Sequence, residues 1–457
     1  MATQLATAAP LPAASLRAEI RATTALALPL ALTQLGQIAI NTTDVIVLGR
    51  LSAEALAAAA LAIALFHVIL VSCIGVVMAT SPLVAQALGG GRPLRLRRTV
   101  RQGLWVALAI SVPCLVLLWF TSEFLELIGQ DPVLAANAET LMHALMWSLP
   151  WALGLIVMRN FVTAFERTAP VVVVMLSGVV VNALLNWVLV FGHLGFPALG
   201  LTGSGLASTL VNLAMFVALS IYAANVRPYR RYAVFGRLAE ADWPMFRDIL
   251  KLGLPIGATL LMEVGLFTGA AFLMGWIGPA QVAAHQIAIQ IASTSFMVPL
   301  GVSMAATVRV GLAAGAGDMA AARRAGFVAC AMGVAFMGGC GVLFWLAPDW
   351  LVSHFLHEGD PAAPVVLGLA AGFLRIAAFF QLIDGLQVIA MGALRGIRDT
   401  RVPLLIAGFG YWVIGFPACL VLGFWAGLGG FGIWMGLAIG LAAVGVPLAW
   451  RFHRLCH

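Results

Sequence analysis

The chain has 457 residues, of which 62% are hydrophobic and 9% charged, with a formal net charge of +7. Soluble domains carry about a quarter charged residues, so this composition excludes a globule covered by water. The basic residues do not cluster on a soluble face, which excludes a nucleic-acid footprint.

Taken in order, twelve apolar stretches of roughly 20 residues each, long enough to cross the hydrocarbon core, fall at about 25–48, 55–79, 101–121, 137–160, 170–192, 203–225, 250–275, 281–307, 326–347, 363–392, 403–425 and 430–450. The short polar joints between them check the orientation. With the N-terminus inside, Arg17, Arg21, Arg92, Arg95, Arg97, Arg98 and Arg101 face the cytoplasm, as do the arginines of the 226–249 joint and Arg309, Arg323, Arg324, Arg395, Arg398, Arg401, Arg451 and Arg454. Arg50 is the exception among the loops and Arg375 lies inside a helix. This asymmetry is what the positive-inside rule requires. The first span is too long for a signal-peptide core and recurs in the second half, so it is expected to stay in the mature chain. The six cysteines form no CxxC pair and read as small packing residues.

The chain repeats itself. At an offset of 226 (255 − 29), Pro29 falls on Pro255, Gly49 on Gly275, Ala57 on Ala283, Gly75 on Gly301 and Met78 on Met304. Gly89 and Gly91 then meet Gly315 and Gly317, and Arg97–Arg98 meet Arg323–Arg324. Beyond a length difference in an external loop the offset becomes 233 (403 − 170), where Pro170 meets Pro403. Six spans per half mean that both halves enter the membrane in the same direction, an arrangement whose substrate sites lie at the repeat interface near the midplane. The expected organisation is a cytoplasmic segment 1–24, an N-lobe 25–225, a cytoplasmic linker 226–249, a C-lobe 250–450 and a cytoplasmic tail 451–457. Pro29, Pro113, Pro150, Pro255, Pro299 and Pro417 fall inside spans and read as kinks or hinges.

Apart from Glu139 at the very start of the fourth stretch, three acidic residues lie within spans: Asp44, Glu263 and Asp384. Each costs several kcal/mol to hold at membrane depth, so it should face a polar interior and mark an ion or substrate path. Polar neighbours support that. The first span offers Gln34, Gln37, Asn41 and Thr43; the fifth carries Asn182 and Asn186, which share a helix face. The eighth offers His285, Gln286 and Gln290, and the tenth has Gln381 and Gln387 beside Asp384. Carboxylate and amide oxygens suit a hard cation such as Na⁺, and the same carboxylates could carry a proton. The acids break the repeat: Glu263 maps to Gln37, Asp44 to Ala270 and Asp384 to Trp151. Residues that the scaffold did not duplicate are the specialised ones.

His354 and His357 have ligand-like spacing but fall in an expected external loop without a thiol partner. Phe267, Phe272, Phe296, Phe379, Phe380, Tyr411 and Trp412 could hold cations over their faces, although aromatics at such spacing commonly pack. No P-loop, H-E-x-x-H or nucleophile elbow occurs, so the sequence supplies no basis for enzymatic chemistry and no cofactor is expected.

The stretches GLPIGATLLMEVGLF, VAAHQIA and MVPLGVSMAATVRVG, with QLIDGLQVIAMGALRGIRDTRVP, resemble multidrug and toxic compound extrusion (MATE) transporters of the NorM-like branch. In the first half TTDVIVLGRLSAEALAA, LVAQALGGGRPLRLRR and VVNALLNWVLVFG resemble the same family. The resemblance implies an all-α membrane fold of twelve helices in two pseudo-symmetric six-helix lobes, exporting small organic cations against Na⁺ or H⁺. It makes Glu263 and Asp384 the second-lobe cation-site carboxylates, a Na⁺ site included, and Asp44 the first-lobe acid with Asn182 and Asn186 beside it. Gln37, Gln286, Gln290 and His285 are the supporting polar residues. Phe380, four residues before Asp384, stands where some relatives carry a hydroxyl-bearing aromatic, which favours proton coupling. The expected setting is the plasma membrane (the inner membrane of a Gram-negative cell), with both termini cytoplasmic, surrounded by lipid and working as a monomer. The alternative cargo on the same fold is a lipid-linked oligosaccharide or peptidoglycan precursor, whose anionic pyrophosphate would call for a basic cavity.

Overall fold

The computed structural model describes residues 15–238, 240–356 and 361–456; His357 lies outside them. Among the described residues eleven helices are long and apolar enough to cross a membrane, and a bent pair, taken as one span, makes twelve. In chain order they are α1 (Leu16–Gly49), α2 (Ala53–Gly89), α3 (Pro93–Trp119), α4 (Pro132–Leu145 with Ser148–Thr163), α5 (Ala169–Phe191), α6 (Gly200–Asn225), α7 (Trp243–Ile277), α8 (Pro279–Ala316), α9 (Met319–Leu346), α10 (Ala363–Gly396), α11 (Arg401–Trp425) and α12 (Gly429–Leu455). No strand occurs among the described residues.

Local chemistry sets the ends and breaks. Ser52 caps α2 by accepting from the Ala55 amide at 3.0 Å, and Asp318 caps α9 through the Ala321 amide at 2.8 Å. Gly91 and Gly317, partners in the repeat, both take left-handed backbone, with φ of 62° and 82°, a conformation that glycine adopts without a Cβ clash. In α4 the 43° bend falls just before Pro150, which sits in the first turn of the second segment where its missing N–H costs nothing. α11 is irregular: Phe409–Gly415 and Val421–Trp425 are π turns, a widening that is frequent at functional positions.

The chain divides into two compact units. One holds the residues up to Ala31, Gly89–Gly91 and those from Ala258 onward; the other holds Leu32–Leu88 and Arg92–Gly257. Each has its own apolar core, built around Leu149, Leu153, Val157 and Phe161 in one and Phe373, Ala377, Trp434 and Leu437 in the other. The divisions at Ala31 and Gly257 fall at repeat-related positions (257 − 31 = 226), two residues after Pro29 and Pro255. Packing repeats as well. Gly75 of α2 lies against the backbone of Gly257 on α7, and Gly301 of α8 lies against α1, where an added Cβ would come within 2.6 Å of the Ala31 nitrogen and 2.9 Å of the Ala27 oxygen.

The segment between the sequence halves is laced onto α3. Arg97 donates to the Gly236 carbonyl at 2.6 Å and Arg101 to the Arg237 carbonyl at 2.8 Å. Gln102 donates to the Glu240 carbonyl at 3.0 Å and Trp105 to the Leu238 carbonyl at 2.7 Å. The donors recur at helical spacing on one stripe of α3, so the linker is seated along a helix face. In the other unit Arg309 of α8 forms a buried bidentate pair with Glu19 of α1, at 3.0 and 2.6 Å.

Candidate ion-coupling sites

Two polar clusters, one in each compact unit, surround the intramembrane carboxylates. In the first, α1 brings half-buried Asp44 to the face of α5 that carries Asn182 and Asn186. One Asp44 oxygen accepts from both amides, at 3.0 and 2.7 Å, and the other accepts from the Ser208 hydroxyl of α6 at 2.9 Å. Asn182 and Asn186 are fully buried, and their side-chain oxygens have no donor. Buried acceptors are normally satisfied, so the cluster offers two free oxygens beside a carboxylate. Gln37 is exposed and bonds to Asn41 at 3.4 Å, one helical turn before Asp44.

In the second cluster Asp384 is buried on α10, and its Oδ1 has no hydrogen-bond donor. Half-buried Glu263 of α7 is its electrostatic neighbour. Arg395, about three turns further along α10, opposes the Glu263 charge, and Tyr411 lies within the field of all three. The Tyr411 hydroxyl accepts from Gln387 Nε2 at 2.5 Å, while Gln387 Oε1 has no donor. Gln381 accepts from the Ser295 hydroxyl of α8 at 2.9 Å. Tyr411 belongs to the first π turn of α11, and its hydroxyl reaches Gln387 of α10 from there.

Around the cluster lies an aromatic wall. Phe380 is buried with its ring edge-on to Phe267 and Trp434, and His285 meets Trp434 edge-on at 5.6 Å. His285 is buried and its Nδ1 has no partner. Gln286 and Gln290 lie on an exposed stripe of α8, apart from the bonded network of Gln381 and Gln387. Among the described residues no three His, Cys, Asp or Glu side chains gather as a metal cluster. A cation here would be held by one carboxylate with amide and hydroxyl oxygens, a hard donor set that suits Na⁺.

The structure thus groups Asp44 with Asn182 and Asn186, and Glu263 with Asp384. Sequence reasoning missed three partners. Ser208 is one small hydroxyl in a span that carries no charge, and Tyr411 reads as one aromatic among several although a phenol in a span needs a partner. Arg395 reads in the sequence as one of the cytoplasmic-side arginines, with no link to the acids, and in the structure it is buried at the end of α10. Arg375 is exposed and lies 4.0 Å from Asp349, outside both clusters.

Comparison with known proteins bears on the repeat. The MatE family profile matches twice, over residues 29–188 and 255–421. The starts are 226 residues apart (255 − 29) and the ends 233 (421 − 188), the two offsets of the internal repeat. A curated relative from Mesorhizobium japonicum, named "probable multidrug resistance protein NorM", is 47% identical over 440 residues, covering 96% of this chain and 94% of the relative. Its namesake from Brucella suis is 45% identical over 428 residues, covering 93% and 91%. The eukaryotic MATE transporter AtDTX14 shares the fold with a TM-score of 0.84 at 19% identity, covering 96% of this chain and 98% of that one. A multidrug resistance MATE family transporter of the MOP superfamily, solved in an outward-facing conformation, superimposes with a TM-score of 0.85 at 19% identity, covering 96% of each chain. With both halves matched and such identity along nearly its whole length, the chain is a multi-pass membrane protein belonging to the MatE family of transporters.

Proposed function

We propose that this transporter is an antiporter that exports small lipophilic organic cations, multidrug efflux in kind, in exchange for Na⁺ or H⁺. The observation that carries the reading is the pair of polar clusters, each with a membrane-embedded carboxylate beside amide oxygens that lack donors. A cation or a proton completes such a set, and lipid-facing packing would not need one. The curated relatives' name supports the cargo class.

The cycle follows from charge. A cationic drug is held by the carboxylates; ion uptake from outside neutralises them and releases it. The cation then leaves inward and the anionic site draws in new substrate. Linkage makes this reciprocal: bound drug weakens ion binding by the same factor. Asp384 Oδ1 has no donor in the structure, so we assign Asp384 the larger share of ion binding in the second cluster. The setting we propose is the plasma membrane, the inner one in a Gram-negative cell, with both termini cytoplasmic and a monomer as the working unit.

The test is efflux of an ethidium-like cation from vesicles under an imposed Na⁺ gradient and then under a pH gradient. Asp384→Asn is expected to abolish coupled efflux, Glu263→Gln to reduce it less, and Asp44→Asn to uncouple it. Undiminished coupled transport in all three variants overturns the carboxylate mechanism. A purified protein that binds a polyprenyl-pyrophosphate lipid and not the cation overturns the cargo.

A further inference from the structure

The repeat places two homologous helix faces in different company. On α3, Arg97, Arg101, Gln102 and Trp105 are covered by the linker, whose carbonyls take their hydrogen bonds. Adding 226 gives the same stripe on α9: Arg323, Phe327, Val328 and Ala331. The first arginine is retained, as is its neighbour (Arg98 to Arg324), but the other three donors have become apolar or small. That α9 stripe borders a groove of about 960 Å³, at the upper end of the ~300–1,000 Å³ usual for small-molecule pockets. Leu16 and Ile20 of α1, Met332 of α9 and Cys456 complete its walls.

A peptide strand is poorly matched to this groove, because three of the four side chains that bind carbonyls in the mate are gone. What remains is an apolar trough with two half-buried arginines at one end. Arg323 lies over the Phe327 ring at 5.6 Å, which sets its guanidinium at the mouth of the trough. Leu16 and Phe327 are 62% and 43% exposed, so the trough is open along its length, and Phe327, Val328, Ala331 and Met332 fall within the ninth apolar stretch. It sits where α1 and α9 begin, the end to which the charge bias assigns the cytoplasm, and basic pockets between membrane helices on that side suit anionic headgroups.

We propose that this groove holds one anionic phospholipid, its phosphate on Arg323 and Arg324 and an acyl chain along Phe327, Val328, Ala331 and Met332. The lipid takes, in the second half, the place that the linker takes in the first. This is a structural lipid site, separate from the two ion clusters.

Native mass spectrometry of the purified full-length protein tests it, with dioleoylphosphatidylglycerol as probe and dioleoylphosphatidylcholine as control. The wild type is expected to retain one phosphatidylglycerol and no phosphatidylcholine. Arg324→Gln should weaken retention about fivefold, the effect of one basic residue beside an anionic membrane. Ala331→Trp restores the residue that stands at the mate position and should block the groove with both arginines intact. Each variant is compared only after its lipid-free melting temperature matches the wild type, and Met332→Phe replaces Ala331→Trp if the larger ring does not fold. Equal retention of phosphatidylcholine overturns the proposal, as does wild-type retention in both variants. Displacement of the lipid by inorganic phosphate at equal concentration also overturns it, since the groove would then be an anion site without an acyl chain.

Discussion

Asp44 and Asp384 are the same residue type in unlike company. Three donors converge on Asp44, whereas Asp384 Oδ1 has none. Ser208→Ala removes the one donor to Asp44 Oδ2. Hydrogen bonds to charged groups contribute about 1.5–3 kcal/mol, and a matching loss should appear as a lower melting temperature in detergent. Tyr411→Phe keeps the ring and removes the acceptor of Gln387 Nε2. Leaving that buried amide unpaired costs ~1–3 kcal/mol, so ion affinity, read by ion protection of thermal stability, is expected to fall about tenfold while the fold survives. Unchanged ion protection would remove Tyr411 from the site. The acids were legible in the sequence because charge in a span is expensive and therefore conspicuous. Their neutral partners were not: a serine or a tyrosine costs little in a helix, and only the packing of α6 and α11 shows where the hydroxyl points.

At the scale of elements, helix existence was legible from apolar length, but irregularity was not. The run of 403–425 gives no warning of two π turns; in the first of them Gly410 and Gly415 seat closely against Val444 and Gly440 of α12, a contact with no mark in the sequence. The bend in α4 was half legible, as a proline within a span. Small residues govern the tightest crossings. A side chain at Gly301 meets the α1 backbone, which cannot yield as a rotamer can. Gly301→Val is therefore expected to destabilise the protein by about 1–3 kcal/mol, the usual result of overpacking, and Gly75→Val should do the same at the α2–α7 crossing. Gly275, with open space around it, is the control: Gly275→Ala should not lower the melting temperature, since alanine is the better helix former.

For the whole molecule, the halves of the sequence and the compact units of the structure do not coincide. The start of α1 packs with residues beyond Ala258, and the start of α7 packs with the first half. A shift of 226 residues exposes the repeat but not this exchange, since partner choice depends on which glycine faces which backbone. The buried Glu19–Arg309 pair ties the start of α1 to α8. Losing one partner of a buried pair leaves an uncompensated charge and costs ~3–5 kcal/mol. Arg309→Met should lower stability by that amount, and adding Glu19→Leu should restore most of it, as measured by thermal melting. A double variant no more stable than the single one would show that the pair is not the source of the loss.

The linker laced onto α3 has a consequence in time. Arg97 must wait for a carbonyl 139 residues further along the chain. At about 5–20 residues per second of synthesis, its partner emerges roughly 7–28 s after it. Until then four donors on α3 face the membrane surface without their acceptors, and a nascent first half remains unfinished although all six of its spans have been made. A fragment ending at residue 225 should therefore be degraded faster in cells than one ending at 249. The difference would mark the linker as the last piece of the first half to fold.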